Sequence, residues 1–215
     1  MYKLIVFDLD GTLTDTSLGI INSYMYASEK NSFKKLPREQ IKGFIGQNLL
    51  HSFVNNFGIS EDIARKVVLD YRDYYAKKGV KECKPYPGLI KTLDSLTNKG
   101  FLLAVATLKK TELAIKVLEF LGICGYFSVI RGMDANDSKT KGELILSCLN
   151  ELGIARHEAV MVGDSYGDMH AALALGIDFF AVTFGFGFSD DISYDNANIK
   201  VFNRLFDICK YLTQN

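Results

Sequence analysis

The feature that most constrains this chain is a repeated alternation of two patterns. Short, β-rich apolar runs occur at residues 3–7, 101–106, 128–130, 159–162, 179–182 and 199–202. They have strand length and no regular polar alternation, which predicts strands buried on both faces. Between them lie stretches of helical period over 88–98, 111–121, 141–152 and 168–175. Several of these stop at glycine, in Lys99-Gly100, Leu121-Gly122, Leu152-Gly153 and Leu175-Gly176, as left-handed helix ends do. Strand and helix in this order predict an α/β fold, a Rossmann-like parallel sheet with helices on both faces.

One region breaks the alternation. Residues 18–30, 37–43, 47–57 and 61–78 read as four helices, with no convincing strand among them. Pro37 suits a helix start, Gly58 and Gly79 suit helix ends, and Pro85-Tyr86-Pro87-Gly88 stiffens the return. The predicted division is therefore a core of residues 1–15 and 87–215 and an inserted helical domain of residues 16–86. With 215 residues, 48% of them hydrophobic, the chain is long enough for one large domain carrying such an insert.

Composition excludes some partners. Lysines and arginines balance aspartates and glutamates, for a net charge of zero, so no basic excess points to nucleic acid or to an anionic membrane surface. The run before Asp8 is too short for a signal-peptide core, and no apolar stretch approaches the roughly 18 residues of a membrane span. These readings predict a cytoplasmic protein. Cys83, Cys124, Cys148 and Cys209 show no Cys-x-x-Cys spacing and are expected as buried, reduced thiols. His51, His157 and His170 have no metal-like spacing.

In an open parallel sheet, ligands bind beyond the carboxyl ends of the strands. The first predicted strand ends at Asp8-Leu9-Asp10-Gly11-Thr12, the second at Thr107, and the fourth at Gly163-Asp164-Ser165-Tyr166-Gly167-Asp168. Between the last two comes Asp137-Ser138-Lys139-Thr140-Lys141-Gly142, a lysine-bearing turn that enters a helix. Alternate residues of an extended segment point the same way, so Asp8 and Asp10 can aim two carboxylates at one centre. Gly11 permits close backbone approach to a ligand. With Asp164 they make a hard oxygen site that suits Mg²⁺ and a substrate phosphate, and Thr107 and Lys141 can bind phosphoryl oxygens. Taken singly, Asp-x-Asp-Gly reads as a capped turn or a calcium-type loop, and the Asp164–Asp168 segment as a helix cap. Their joint placement at the strand ends of one sheet makes the case for a site.

In this order the motifs resemble the haloacid dehalogenase superfamily of hydrolases, and within it the small phosphatases of the phosphoglycolate phosphatase type. The match spans essentially the whole chain. The resemblance implies an Mg²⁺-dependent phosphatase acting on a small-molecule phosphate monoester through an aspartyl-phosphate. Asp8 is then the nucleophile, Asp10 the general acid/base, Thr107 the phosphate-binding hydroxyl and Lys141 the phosphate-stabilising lysine. Asp164 becomes a metal ligand with Asp8 and Asp10, and Asp168 its partner. Phe184-Gly185-Phe186-Gly187 resembles a glycine-rich turn of relatives, and the helical insert resembles their cap. Leu108 replaces a small polar residue and leaves only a backbone N–H for phosphate. Lys109 resembles a supporting lysine seen in part of the family. Lys139 is a rival to Lys141, which fits better because it directly precedes the helix.

The second aspartate favours phosphatase over dehalogenase chemistry, because an alkoxide leaving group needs a proton and a halide does not. A phosphosugar mutase of the same fold remains an alternative, although Ser17-Leu18-Gly19-Ile20-Ile21 lacks the hinge histidine of that branch. A non-catalytic binding protein is a further alternative. Substrate contacts are expected from the insert, with Gly46-Gln47-Asn48 as the candidate loop. Phosphoglycolate, a nucleoside monophosphate, a sugar phosphate and pyrophosphate all remain open, and oligomeric state is unreadable.

Overall fold

The computed structural model describes residues 1–134, 138–188 and 196–214. Asp137 of the lysine-bearing turn lies outside the described residues. The chain divides into two compact units, residues 1–15 with 85–215 and residues 16–84.

The first unit is built on six parallel strands. They are β1 (Leu4–Phe7), β4 (Leu102–Lys110), β5 (Val129–Met133), β6 (Ala159–Gly163), β7 (Asp178–Val182) and β8 (Ile199–Phe202), in the order β5-β4-β1-β6-β7-β8. Two-residue strands β2 (Thr14–Asp15) and β3 (Lys84–Pro85) stand apart from this sheet. The helices of the unit are α5 (Leu89–Asn98), α6 (Thr111–Phe120), α7 (Lys141–Leu152), α8 (Tyr166–Ala174) and α9 (Leu205–Gln214). All four residues of β1 are fully buried. Leu4 and Val6 pack in one cluster with Leu144, Ile145 and Cys148 of α7 and Met169 and Ala172 of α8. Ile5 and Phe7 alternate to the other face and are equally buried, with Phe7 edge-on to Phe127. Both faces of the sheet are therefore covered, as the unbroken apolar runs predict.

The chain runs from β1 outward to β4 and β5, then returns to lay β6, β7 and β8 on the other side. The order reverses between β1 and β6, which opens a crevice at their carboxyl ends. β4 is longer than the expected strand because its pairing slips. Ala106 pairs with Arg131 and Lys110 with Met133, so four steps on β4 oppose two on β5. α8 starts at Tyr166 rather than 168, because Ser165 accepts from the Asp168 N–H and caps the helix two residues earlier.

The second unit holds α1 (Ser17–Lys30), α2 (Arg38–Lys42), α3 (Leu49–Phe57) and α4 (Glu61–Lys77). Its interior is aromatic: Tyr24 contacts Phe44, Phe53 and Tyr71, and the Tyr24 hydroxyl donates to Ser52 Oγ at 2.8 Å. α1 approaches the Gly79 turn so closely that a Cβ on Gly19 would collide with the Gly79 carbonyl.

Two expectations need correction. Pro85 and Tyr86 belong with the first unit, not with the insert, because the Tyr86 N–H donates to Leu13 O at 3.2 Å and its ring packs on Phe184 at 4.6 Å. Of the four cysteines, none in a disulfide, only Cys148 and Cys209 are buried. Cys83 and Cys124 are half-buried: Cys83 lies directly before β3, and Cys124 opens a one-turn 3-10 helix, Cys124–Tyr126, with no buried residue. No described helix is long and apolar enough to cross a membrane.

Candidate active site

Asp8 follows directly on β1, and its N–H still donates to Val162 O of β6 at 2.9 Å. The ladder thus carries the carboxylate to the switch point. Lys141, the first residue of α7, is oriented by a capping box in which Thr140 and Glu143 bond reciprocally. Its Nζ lies 2.5 Å from Asp8 Oδ1 and 2.7 Å from Asp168 Oδ1, with only 9% of the side chain exposed. Lys139, the rival for this role, instead lies near the Glu143 carboxylate.

Asp164 extends from β6 and is held from two sides. Its Oδ2 accepts from the Phe186 N–H at 2.7 Å, and its Oδ1 accepts from the Thr12 hydroxyl at 3.2 Å. Asp168 faces two ways. It caps α8 by accepting from Ser165 N–H and Oγ–H, and it meets Lys141. Asp8, Asp164 and Asp168 each bring a carboxylate oxygen within 4.8 Å of the others. The Asp10 carboxylate, expected among the metal ligands, pairs with Lys109 at 2.8 Å.

Thr107 is buried and accepts from the Lys109 N–H at 3.3 Å. Leu108 is packed against the main core cluster. Gly11, expected to bring backbone close to a bound phosphate, donates its N–H to Thr14 O at 2.9 Å. Glycine is needed there for other reasons: its φ is +89°, and a Cβ would collide with the Asp164 carboxylate. In the second unit, Gly46 takes a φ of +85°. Gln47 Nε2 donates to Gly43 O at 3.0 Å, and Asn48 accepts from the His51 N–H as the cap of α3. His170 is exposed on α8.

The electrostatics follow from burial first and crowding second. Burial pushes the Asp8 carboxyl up; Lys141 opposes this, and Asp168, Asp164 and Asp10 add to it. Burial and then Asp168 push Asp164 up to about 7, against the bonds from Phe186 and Thr12. Burial would depress the Lys141 ammonium, but Asp168 and Asp8 outweigh it and raise it above its usual range. When all are ionised, four carboxylates (Asp8, Asp10, Asp164, Asp168) share two lysine charges (Lys109, Lys141), leaving two negative charges in excess. Three hard oxygens within one small volume and an excess of that size fit a divalent cation.

Motif reading did not assign a role to Thr12, to the Phe186 N–H or to Tyr86. The Asp-Gly-Thr string and the glycine-rich turn were visible signals for the first two. Tyr86 had none, because only the fold shows that burial and the nearby Asp15, Asp164 and Asp10 raise its phenol well above the usual range.

The sequence pattern described as haloacid dehalogenase-like hydrolase matches residues 5–182. The chain belongs to the haloacid dehalogenase-like hydrolases. A 5'-nucleotidase from Pseudomonas aeruginosa is 32% identical over 192 residues, covering 89% of this chain and 87% of its own. A phosphoglycolate phosphatase from Vibrio parahaemolyticus is 32% identical over 205 residues, covering 91% and 90%. A haloacid dehalogenase-like family hydrolase from Streptococcus pneumoniae superposes with a TM-score of 0.88 at 31% identity, covering 98% of both chains.

Proposed function

We propose that this hydrolase cleaves a small-molecule phosphate monoester with Asp8 as nucleophile and Asp10 as general acid and base. The observation that carries the reading is Asp8 itself: a buried carboxylate at a strand end, held by Lys141 and adjoining Asp164 and Asp168. Similarity to a 5'-nucleotidase and to a phosphoglycolate phosphatase supports a phosphorylated small metabolite as substrate.

In the first step an Asp8 oxygen attacks phosphorus, the bond from phosphorus to the ester oxygen breaks, and Asp10 gives that oxygen a proton. In the second, Asp10 takes a proton from water, which attacks the aspartyl-phosphate and releases inorganic phosphate and Asp8. Lys141 offsets charge on the phosphoryl oxygens, and the Thr107 hydroxyl and the Leu108 N–H orient them. Asp8, Asp164 and Asp168 would hold Mg²⁺, which when bound supplies compensating positive charge for the phosphoryl group and the carboxylates. Within this reading the helical unit is the cap and supplies selectivity through Gly46, Gln47 and Asn48.

The test is phosphate release from a broad panel of phosphate esters with Mg²⁺. The wild type should turn over at least one class, and Asp8→Asn should lose activity by several orders of magnitude without loss of fold. Full activity in Asp8→Asn, or undiminished activity in excess chelator, would refute the assignment.

A further inference from the structure

Lys109 is a buried lysine that general phosphate binding by Thr107 and Lys141 does not require. Its side chain is 8% exposed and that of Asp10 is 14% exposed, and they meet at 2.8 Å. A lysine is buried to this degree only with a partner. The backbone is arranged for the meeting. The slipped register of β4 between Ala106 and Lys110 takes Thr107, Leu108 and Lys109 out of the regular ladder with β5. Bulges of this kind re-aim side chains beside active sites. This one is locked from behind. The Gly132 N–H of β5 donates to Thr111 Oγ1 at 3.0 Å. A Cβ on Gly132 would collide with Lys109 O and lie 2.7 Å from Thr111 N. In front, the Lys109 N–H closes on Thr107 Oγ1 at 3.3 Å.

We propose that Lys109 is the positioning residue for Asp10, aimed by the β4 bulge that Gly132 makes possible. The ammonium holds Asp10 Oδ2, which fixes the plane of the carboxylate that must meet the leaving oxygen. Lys109 acts through Asp10 and need not touch substrate. The inference rests on Asp10 as the general acid of the proposed function.

The experiment compares kcat/KM for an alkyl phosphate, whose leaving oxygen needs a proton, with that for p-nitrophenyl phosphate, whose leaving group departs without one. Proton transfer contributes about 10²–10⁴-fold, and misplacement by about 1 Å can cost about 10²-fold. Lys109→Met should therefore lower kcat/KM for the alkyl ester by about 30- to 100-fold, and at least tenfold more than for the aryl ester. Gly132→Ala, remote from the reacting atoms, should give the same selective loss, and the double variant little more than either alone. Equal losses on both esters, or none, overturn the proposal. Should Gly132→Ala fail to fold, Lys109→Met alone decides. Asp10→Asn separates the two failures. If it shows the leaving-group split and Lys109→Met does not, only the positioning role falls. A wild type that hydrolyses no ester overturns the Asp10 assignment and this inference with it.

Discussion

The raised carboxyl of Asp164 makes stability a direct readout of the site. Its ordinary value of 3.8 is lifted to about 7, chiefly by burial. A folded-state value above the unfolded one means that the native chain binds more protons. The stability this confers is full below about pH 4 and is lost as pH rises through about 7. At about 1.4 kcal/mol per pH unit, the loss between those limits is on the order of 4 kcal/mol. Asp164→Asn removes the titration while keeping the geometry, with the amide oxygen accepting from Phe186 and the amide nitrogen donating to Thr12. In excess chelator the variant should match the wild type near pH 4 and exceed it at pH 8. At about 2–4 °C per kcal/mol for a chain of this size, the margin approaches roughly 8–16 °C in Tm. Adding Mg²⁺ at pH 8 should stabilise the wild type and leave the variant largely unmoved. The assay is differential scanning calorimetry from pH 4 to 8, with and without Mg²⁺. A difference between the two proteins that stays flat with pH refutes the reasoning, because then Asp164 does not titrate in that window.

Three further outcomes follow from named contacts. Gly185→Ala places a Cβ against Asp164 and the Gly11 carbonyl. Such overpacking costs about 1–3 kcal/mol, and urea titration should show that loss together with weakened Mg²⁺ binding by calorimetry. Lys141→Met leaves Asp8 and Asp168 without their shared cation. Breaking a buried pair costs about 3–5 kcal/mol, so thermal melts should show a large drop at pH 8 that shrinks at pH 5, where protons replace the lysine. Asn48→Ala removes the cap of α3 and should cost about 1 kcal/mol by chemical denaturation. A change in its relative kcat/KM across phosphate esters would add a substrate role to the structural one.

Much of the fold was legible because burial leaves a sequence trace. Leu4, Ile5, Val6 and Phe7 are apolar without alternation, and each is fully buried between two helical layers. α7 begins and ends as its pattern predicts, at Lys141 and Leu152. The helix α9 was not expected: Arg204 stands where a capping Ser, Thr, Asp or Asn would announce it, although Leu205, Ile208 and Cys209 are buried at helical spacing. In the site, Lys141 could be preferred over Lys139 because it opens a helix. The sorting of four aspartates between two lysines could not be read. Asp-x-Asp spacing sends Asp8 and Asp10 toward one centre, but the turn at Gly11 and the bulge before Lys110 give Asp10 a different partner. Those are backbone events in two segments far apart in sequence, and neither motif alone encodes their meeting.

The glycines explain why the site cannot shed its charge by relaxing. Side chains on Gly11 or Gly185 would strike Asp164, one on Gly187 would lie 2.6 Å from the Asp164 carbonyl oxygen, and one on Gly163 would lie 2.6 Å from Asp168 Cβ. Backbone from three segments therefore closes directly on the two aspartates, with no flexible side chain between to yield. Carboxylates on long or mobile stems would separate as they ionise and keep ordinary acidities. These are short, buried and walled in by main chain, so their desolvation and then their repulsion appear as affinity for positive charge. Lys141 meets part of that demand and is fixed by its capping box. What remains would be met by protons at low pH and by a bound divalent cation at neutral pH. The close backbone that buries Asp164, and so raises it, would also let the site take a metal without reorganising, and loosening any of these glycines should weaken both properties together.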